Sequence, residues 1–298
     1  ETGNVPDATK YFKGIIDELS IWNRTLSEEE IMRYYKRGIL KLKARVRSCN
    51  DINCDGEVWQ GPYGSDELRS YGYDEKEINP KGTNMTGNVL LYHMNELSGD
   101  IIDYSGNGNN GTNIGSDYGY EGVFNASMYF DGGDYIVRNI SNFPTTEITV
   151  SFWMKSSDNT RSGTPFSYAS VLSDNEFLIY NYKDFWVYVR GNYASTGVSA
   201  NDGKWHHIVV TWESSSGRVK LYKDGSLYSN VVISASKGVI LSNNGSLVIG
   251  QEQDSLGGGF DASESYEGYI DEVAIWNRTL SDEEILNLIN EYQRSWRE

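Results

Sequence analysis

Between Asn88 and about Tyr292 the chain is cut at short, regular intervals by turn-forming residues. The apolar or alternating runs between the turns are too short to be helices. The runs Val89–Met94, Ser127–Phe130, Ile148–Met154, Glu176–Tyr180, Phe185–Val189, His207–Trp212, Arg218–Tyr222 and Ser246–Ile249 read as strands. Lys223-Asp224-Gly225-Ser226 supplies an Asp-Gly hairpin turn, whose positive φ angles match the twist of the flanking strands. Parallel strands need long crossovers, usually helical, and none intervenes here. The pattern therefore predicts an all-β fold: a two-sheet antiparallel jelly-roll sandwich with a short C-terminal helix, plus a small N-terminal β segment. The 22 Tyr, 8 Trp and 31 Gly, against 5 Pro, suit such sheets and their tight turns.

An internal repeat divides the chain. Gly14-Ile15-Ile16-Asp17-Glu18-Leu19-Ser20-Ile21-Trp22-Asn23-Arg24-Thr25-Leu26-Ser27 recurs as Gly268-Tyr269-Ile270-Asp271-Glu272-Val273-Ala274-Ile275-Trp276-Asn277-Arg278-Thr279-Leu280-Ser281. Each copy reads as a strand, a polar turn and a helix. Ser27 with Glu30, and Ser281 with Glu284, have the capping-box spacing that satisfies a helix's first free N–H groups. Ile285, Leu288 and Ile289 then recur at helical spacing. The first copy has almost nothing before it, and one strand with one helix cannot bury a core. Residues 1–3 read as an expression remnant and 4–36 as the strand–helix tail of a preceding repeat. Residues 37–86 form a small β segment or linker around Leu40–Arg47, and 87–298 are the main domain.

Charge narrows the partners. A formal net charge of −16 argues against nucleic acid and anionic membrane, both of which reward clustered Lys and Arg. No apolar run is long enough to span a bilayer. Cys49 and Cys54 are the only cysteines, with no His or Cys pair nearby to complete a zinc site. A local disulfide is the favoured reading and free thiols the alternative. A disulfide would fit an extracellular or cell-surface location. So would seven Asn-x-Ser/Thr sequons at Asn23, Asn84, Asn110, Asn125, Asn139, Asn244 and Asn277.

The densest chemistry is Gly250-Gln251-Glu252-Gln253-Asp254-Ser255-Leu256-Gly257-Gly258-Gly259-Phe260-Asp261-Ala262-Ser263-Glu264. Four acids and two amides share this glycine-rich loop, and the glycines let it fold back so that Asp261 and Glu264 return toward Glu252 and Asp254. Calcium takes six to eight oxygens from such loops, although an acidic loop by itself reads as a solvated one. The motif resembles the calcium loop of the pentraxins. Ser167-Tyr168-Ala169-Ser170 and Ser173-Asp174-Asn175-Glu176 resemble that family's text around its other calcium segment. His207-Ile208-Val209-Val210-Thr211-Trp212-Glu213-Ser214 resembles its signature except at cysteine. Order and rough spacing agree from about Ile148 to Ile285.

The resemblance implies Ca2+ as cofactor. It gives one ion to Asp174, Asn175, Glu252, Asp254 and the carbonyl of Gln253, and a second to Glu252, Asp254, Asp261 and Glu264. An anionic group of the ligand would bridge the ions. The family's intradomain disulfide would join the positions held here by Ser151 and Val209, and both cysteines are missing together. Asp261 and Glu264 stand where the family commonly has Glu and an amide, so five carboxylates would leave the ion pair about one charge negative. Tyr180 stands at a ligand-binding aromatic position, and no acid facing choline is evident, which points away from phosphocholine. Rings are common in the family, so an oligomer is compatible with the resemblance.

The domain also resembles the wider laminin-G-like (concanavalin-A-like lectin) group. The residues that carry this likeness are Asn95-Glu96, Asp103-Tyr104-Ser105-Gly106-Asn107-Gly108-Asn109-Asn110-Gly111, Phe130-Asp131-Gly132-Gly133-Asp134-Tyr135-Ile136, and Ile270-Asp271-Glu272-Val273 with Trp276. Asp103, Asn107 and Asp271 could form a separate structural calcium site, or serve as turn and strand-end residues.

Catalysis is not expected. Jelly rolls also carry glycosidases, whose strand motif Glu-x-Asp-x-x-Glu begins at Glu252-Gln253-Asp254 but lacks its second Glu in register. His206 and His207 are adjacent and should point to opposite faces of a strand, while His93 lies in another. The expectation is a calcium-dependent extracellular recognition or adhesion module for carbohydrate, another polar anionic ligand, or a cell-surface protein. The alternatives are a structural surface repeat with purely structural calcium, and a carbohydrate-binding module of a larger enzyme.

Overall fold

A computed structural model of the chain describes residues 42–44, 69–71 and 84–294, with side-chain environments for 84–289. Two compact units divide at Pro80 and Lys81. In the first, β1 (Leu42–Ala44) pairs antiparallel with β2 (Arg69–Tyr71). The first copy of the repeat and the Cys49–Cys54 loop lie outside the described residues.

The second unit is the predicted sandwich. The seven-stranded sheet runs in the order β12 (Asn192–Ser195), β11 (Trp186–Val189), β10 (Ser173–Tyr180), β9 (Phe166–Ser170), β16 (Gly245–Ile249), β7 (Tyr135–Ile140), β4 (Thr112–Ile114). The eight-stranded sheet runs β15 (Ser226–Val232), β14 (Arg218–Lys223), β13 (His206–Glu213), β8 (Glu147–Lys155), β17 (Glu267–Trp276), β6 (Ala126–Asp131), β5 (Asp117–Glu121), and β3 (Asn88–Tyr92) also pairs with β17. All these pairings are antiparallel.

Alternation sorts the strands' two faces. Val187 and Val189 enter the main core, as do Phe177, Ile179, Phe166 and Tyr168. Trp186, Tyr188, Tyr180 and Ser167, which alternate with them, belong to the outer face of the seven-stranded sheet. The central strands of the other sheet are buried on both faces. Val150, Phe152 and Met154 of β8 face the core, while Trp153 and the neighbouring Val209, Ala274 and Trp276 lie under the C-terminal helix α1 (Asp282–Arg294). That helix lays Ile285, Leu288 and Ile289 onto them.

Local chemistry starts α1 where the repeat predicts. Ser281 Oγ accepts the Glu284 N–H at 3.2 Å and Glu284 Oε2 accepts the Ser281 N–H at 2.9 Å, a reciprocal capping box. The Asp224-Gly225 turn is also formed: both residues have positive φ (51° and 77°), and Lys223 faces Ser226 across the β14–β15 hairpin. Ser151 and Val209 are direct cross-strand partners in β8 and β13, and Ser151 Oγ is 2.8 Å from His207 Nε2. Among the described residues no helix is long and apolar enough to cross a membrane.

Candidate functional site

The loop that follows β16 is built by its amides and closed by its glycines. Gly250 adopts φ 98°, and a Cβ there would come within 2.7 Å of the Phe130 ring. Tyr266 N–H returns to the Gly250 carbonyl at 2.9 Å and closes the base. Inside the loop, Gln253 is fully buried. Its Nε2 donates to Ser167 O, Ser167 Oγ and Ser246 O, each at 3.1 Å, and its Oε1 accepts the Gly257 N–H at 2.9 Å. The loop is thereby folded back over the outer face of the seven-stranded sheet. Ser255 and Gly258 exchange backbone hydrogen bonds and make its tip a tight turn.

Folding back brings the charges of Glu264 and Asp254 to bear on Glu252. This side chain is 4% exposed, and its Oε2 is buried without a hydrogen-bond partner. Burial, followed by the charges of Glu264, Asp254 and Asp174, pushes its carboxyl up to about 8. Asp174 comes from a different part of the sheet. The β9–β10 register shifts between Ser173 and Phe177, and such an irregularity re-aims the side chains it contains. Asp174 is exposed, and its Oδ1 accepts the Asn175 N–H at 2.8 Å. The loop and the start of β10, about seventy-five residues apart in sequence, thus act on one buried carboxylate.

Glu264 is tied to the sheet by Tyr180, whose hydroxyl donates to Oε1 at 3.0 Å. Asp261 is engaged elsewhere: its Oδ1 accepts the N–H and Oγ–H of Ser263, and these bonds hold its carboxyl below the usual range. Among the described residues no three His, Cys, Asp or Glu side chains form a ready-made metal cage. The donors nonetheless fit a hard cation. They are all oxygens, one is orphaned in a buried position, and the charges of three neighbouring carboxylates act on that buried group. Asp174, Asn175, Glu252, Asp254, Glu264 and the Gln253 carbonyl are the residues that would hold calcium, and calcium would supply the positive charge for an anionic or hydroxyl ligand.

Asp103, Asn107 and Asp271 are placed differently. Asp103 Oδ1 accepts the N–H groups of Leu91 and Ser105, and Oδ2 accepts Asn109 N–H and Ser105 Oγ–H. Asn107 Nδ2 donates to the carbonyls of Asn88 and Val89. Both therefore build the turn that locks β3. Asp271, fully buried in β17, accepts the N–H groups of Val123 and Phe124 on Oδ2, and burial followed by Glu272 raises its carboxyl well above the usual range. Its partners are a separate set from those of Asp103 and Asn107. His206 and His207 also have separate partners: Asp202 and Asp224 for the first, Ser151 for the second.

Sequence reasoning missed the aromatic surface beside the acids. Trp186, Tyr188 and Tyr193 interact across β11 and β12, and Tyr180 lies 6.1–6.2 Å from Tyr188 and Trp186. The signal was the alternation of aromatic with aliphatic residues through Trp186-Val187-Tyr188-Val189, which sets the rings on the face opposite the core.

Comparison with known proteins places this architecture. The chain is 43% identical to the rat "Sushi, von Willebrand factor type A, EGF and pentraxin domain-containing protein 1" over 143 residues, 47% of this chain and 4% of that protein. It is 39% identical to human neuronal pentraxin-1 over 142 residues, 47% of this chain and 33% of that protein. The matched stretch is thus a third or less of either relative. Among solved structures, a heptameric SAP-like pentraxin from Limulus polyphemus is 27% identical over 52% of this chain and 75% of its own, with a TM-score of 0.46. Domain 4 of an arabinanase from Geobacillus stearothermophilus shares the fold at 19% identity, covering 68% of this chain and 98% of that one with a TM-score of 0.51. The model of the Pentaxin family matches residues 134–294, from the strand that opens at Tyr135 through the C-terminal helix. Because that match takes in more than half of the chain, the protein belongs to the Pentaxin family.

Proposed function

We propose that the chain is a calcium-dependent extracellular recognition or adhesion module, binding carbohydrate or another polar anionic ligand on the outer face of its seven-stranded sheet. The observation that carries this reading is Glu252: a buried carboxyl group with an orphaned oxygen, on which the charges of Glu264, Asp254 and Asp174 act. A buried acid without a partner is costly, and a divalent cation is the partner that would also quiet its neighbours. Gln253 already holds the loop in place through its own hydrogen bonds. That the loop has its own hydrogen-bonded support favours a ligand-binding role for calcium over a purely structural one.

The reading is non-catalytic. Glu252 and Asp254 lack a second glutamate in the strand register a retaining glycosidase uses, and the histidines are committed to separate partners. An extracellular setting is supported by the exposure of Asn84, Asn110, Asn139, Asn244 and Asn277 at their sequons.

Calcium titration followed by thermal melting tests the proposal. A ligand of the native state raises the melting temperature as its concentration passes Kd, and EDTA should reverse the rise. The double variant Glu252→Ala, Asp254→Ala should show no shift. An unchanged shift in that variant places calcium elsewhere and sinks the site.

A further inference from the structure

Resting on the calcium reading, we propose that Glu176 and Arg190 are positioning residues for the metal site: their ion pair sets Asp174 and Asn175, the calcium donors that β10 would supply, without itself touching the ion.

The need for such a device lies in the strand pairing. Against β9 the register of β10 breaks between Ser173 and Phe177, and against β11 it begins only at Phe177. Asp174, Asn175 and Glu176 therefore sit where neither neighbour fixes them through a regular ladder. Their support comes from the Arg190-Gly191 turn between β11 and β12. The Gly191 N–H donates to the Asn175 carbonyl at 2.9 Å, and the Arg190 N–H to the Glu176 carbonyl at 3.0 Å. Side chains add to this. Glu176 is fully buried, and its Oε1 accepts from Arg190 Nε at 3.1 Å, from Arg190 Nη2 at 2.8 Å and from the Ser242 N–H at 2.7 Å. Its Oε2 accepts from the Ser170 hydroxyl at 3.0 Å. Arg190 Nη2 also donates to the Ile240 carbonyl at 2.5 Å. One carboxylate thus ties the β9–β10 turn, the β11–β12 turn and the segment entering β16 to the residue that follows Asn175.

Two costs show that the pair is kept for direction rather than for stability. Glu176 lies wholly out of water and Arg190 mostly so, and that desolvation offsets much of their attraction. An apolar pair of similar volume would serve the fold as well. The second cost is in the backbone. Arg190 stands at φ 48° and Gly191 at 72°, the two residues of a tight hairpin turn that joins Val189 to its partner Asn192. Asn, Asp or Gly takes the first of these left-handed positions with less strain than arginine does. What asparagine would lack is the guanidinium, a planar fork that meets Glu176 through two nitrogens and reaches the Ile240 carbonyl as well. Groups that orient a metal's ligands typically change its affinity about 10–100-fold when they are removed.

The test is calorimetry of calcium binding to the full chain. In the variant Glu176→Gln, Arg190→Asn no buried charge is left unpaired and the turn gains a residue suited to it. Without calcium it should fold and melt as the wild type does, while its calcium affinity falls about tenfold or more. Arg190→Lys keeps the charge but not the fork; it should weaken calcium binding in the same direction, and it stands in if the first variant does not fold. Asp174→Ala, Asn175→Ala removes the donors themselves. Adding Glu176→Gln, Arg190→Asn to that variant should cost no further affinity, because the pair acts only through those donors. Unchanged calcium affinity in the folded variants, or full additivity of the two double changes, overturns the positioning role and leaves the calcium reading standing. A wild-type chain that binds no calcium overturns the calcium reading and this inference with it.

Discussion

Tyr180 and Glu264 are eighty-four residues apart, and the phenol of the first donates a 3.0 Å hydrogen bond to the carboxylate of the second. This contact couples the strand that carries Asp174 to the loop that carries Glu252. Glu264 also raises the Tyr180 hydroxyl, which burial pushes up to about 12. A double-mutant cycle between Tyr180→Phe and Glu264→Ala should give a coupling of about 1 kcal/mol in urea unfolding without calcium. Additive single effects would mean that the contact does not form in solution.

Glu252 makes calcium binding depend on pH. Its carboxyl titrates near 8 in the folded, metal-free chain, well above an ordinary glutamate, because of burial and then Glu264, Asp254 and Asp174. The folded state therefore holds a proton that the unfolded state has released, and metal-free stability should fall as pH rises from about 4.5 to 8. Calcium must displace that proton, so its apparent affinity should climb by up to about tenfold per pH unit below 8 and then level off. Glu252→Gln should make both curves shallower. Melting curves and calcium titrations between pH 5 and 9 read them directly, and a wild-type affinity that ignores pH would contradict the buried, protonated carboxyl.

What the sequence made legible, and what it hid, follows from burial. Strands β8, β13 and β16 are central, so their composition must be apolar and their runs stand out. The strands that composition alone left out include β12 and β4, at the ends of one sheet, and β15 and β5, at the ends of the other. An edge strand such as Asp117–Glu121 or Asn192–Ser195 buries little, so nothing in its residue types needs to announce it. In the site, the repeat and the acidic loop were readable because they are local in sequence. The Asp174 carboxylate acting on Glu252, the burial of Gln253 and the ring ladder are products of long-range pairing. Asp103 and Asn107 had two readings in sequence, and their hydrogen bonds in the structure are those of a turn.

Ser151 and Val209 face each other across β8 and β13, at positions where the resemblance put a disulfide. The buried pair here uses Ser151 to bind His207, whose imidazole is held down to about 4 by burial. The variant Ser151→Cys, Val209→Cys should close a disulfide under oxidising conditions. Constraining the unfolded chain is worth about 2–4 kcal/mol, less what is lost when Ser151 no longer bonds His207. Mass spectrometry with and without reductant detects the bond, and melting temperatures give its value. Free thiols persisting in the folded, oxidised variant would show that the two positions do not approach as the register requires.

His206 predicts a pH dependence of its own. Its Nδ1 faces Asp224 at 2.8 Å and its Nε2 faces Asp202 at 2.9 Å, so both nitrogens are best used as donors and the ring is held in its charged form. The hydrogen bond to Asp224, and then that to Asp202, raise its pKa against the opposing effects of burial and Lys223. A raised histidine stabilises the fold fully below the unfolded value of about 6.5, and that contribution is lost as pH climbs through the folded value. The aspartates are half-exposed at 43% and 50%, so water screens the pair. The contribution is accordingly about 1 kcal/mol, or roughly 2–4 °C in melting temperature for a domain of this size. Asp224 also forms the β14–β15 turn and accepts the His207 N–H at 2.9 Å, so the histidine is the cleaner residue to change. In a Glu252→Gln, His93→Gln background, which removes two other titrations in this range, melting temperature should fall more steeply across this window with His206 present. The slope should be smaller with His206→Gln, and an equal slope in both would assign the transition to another group.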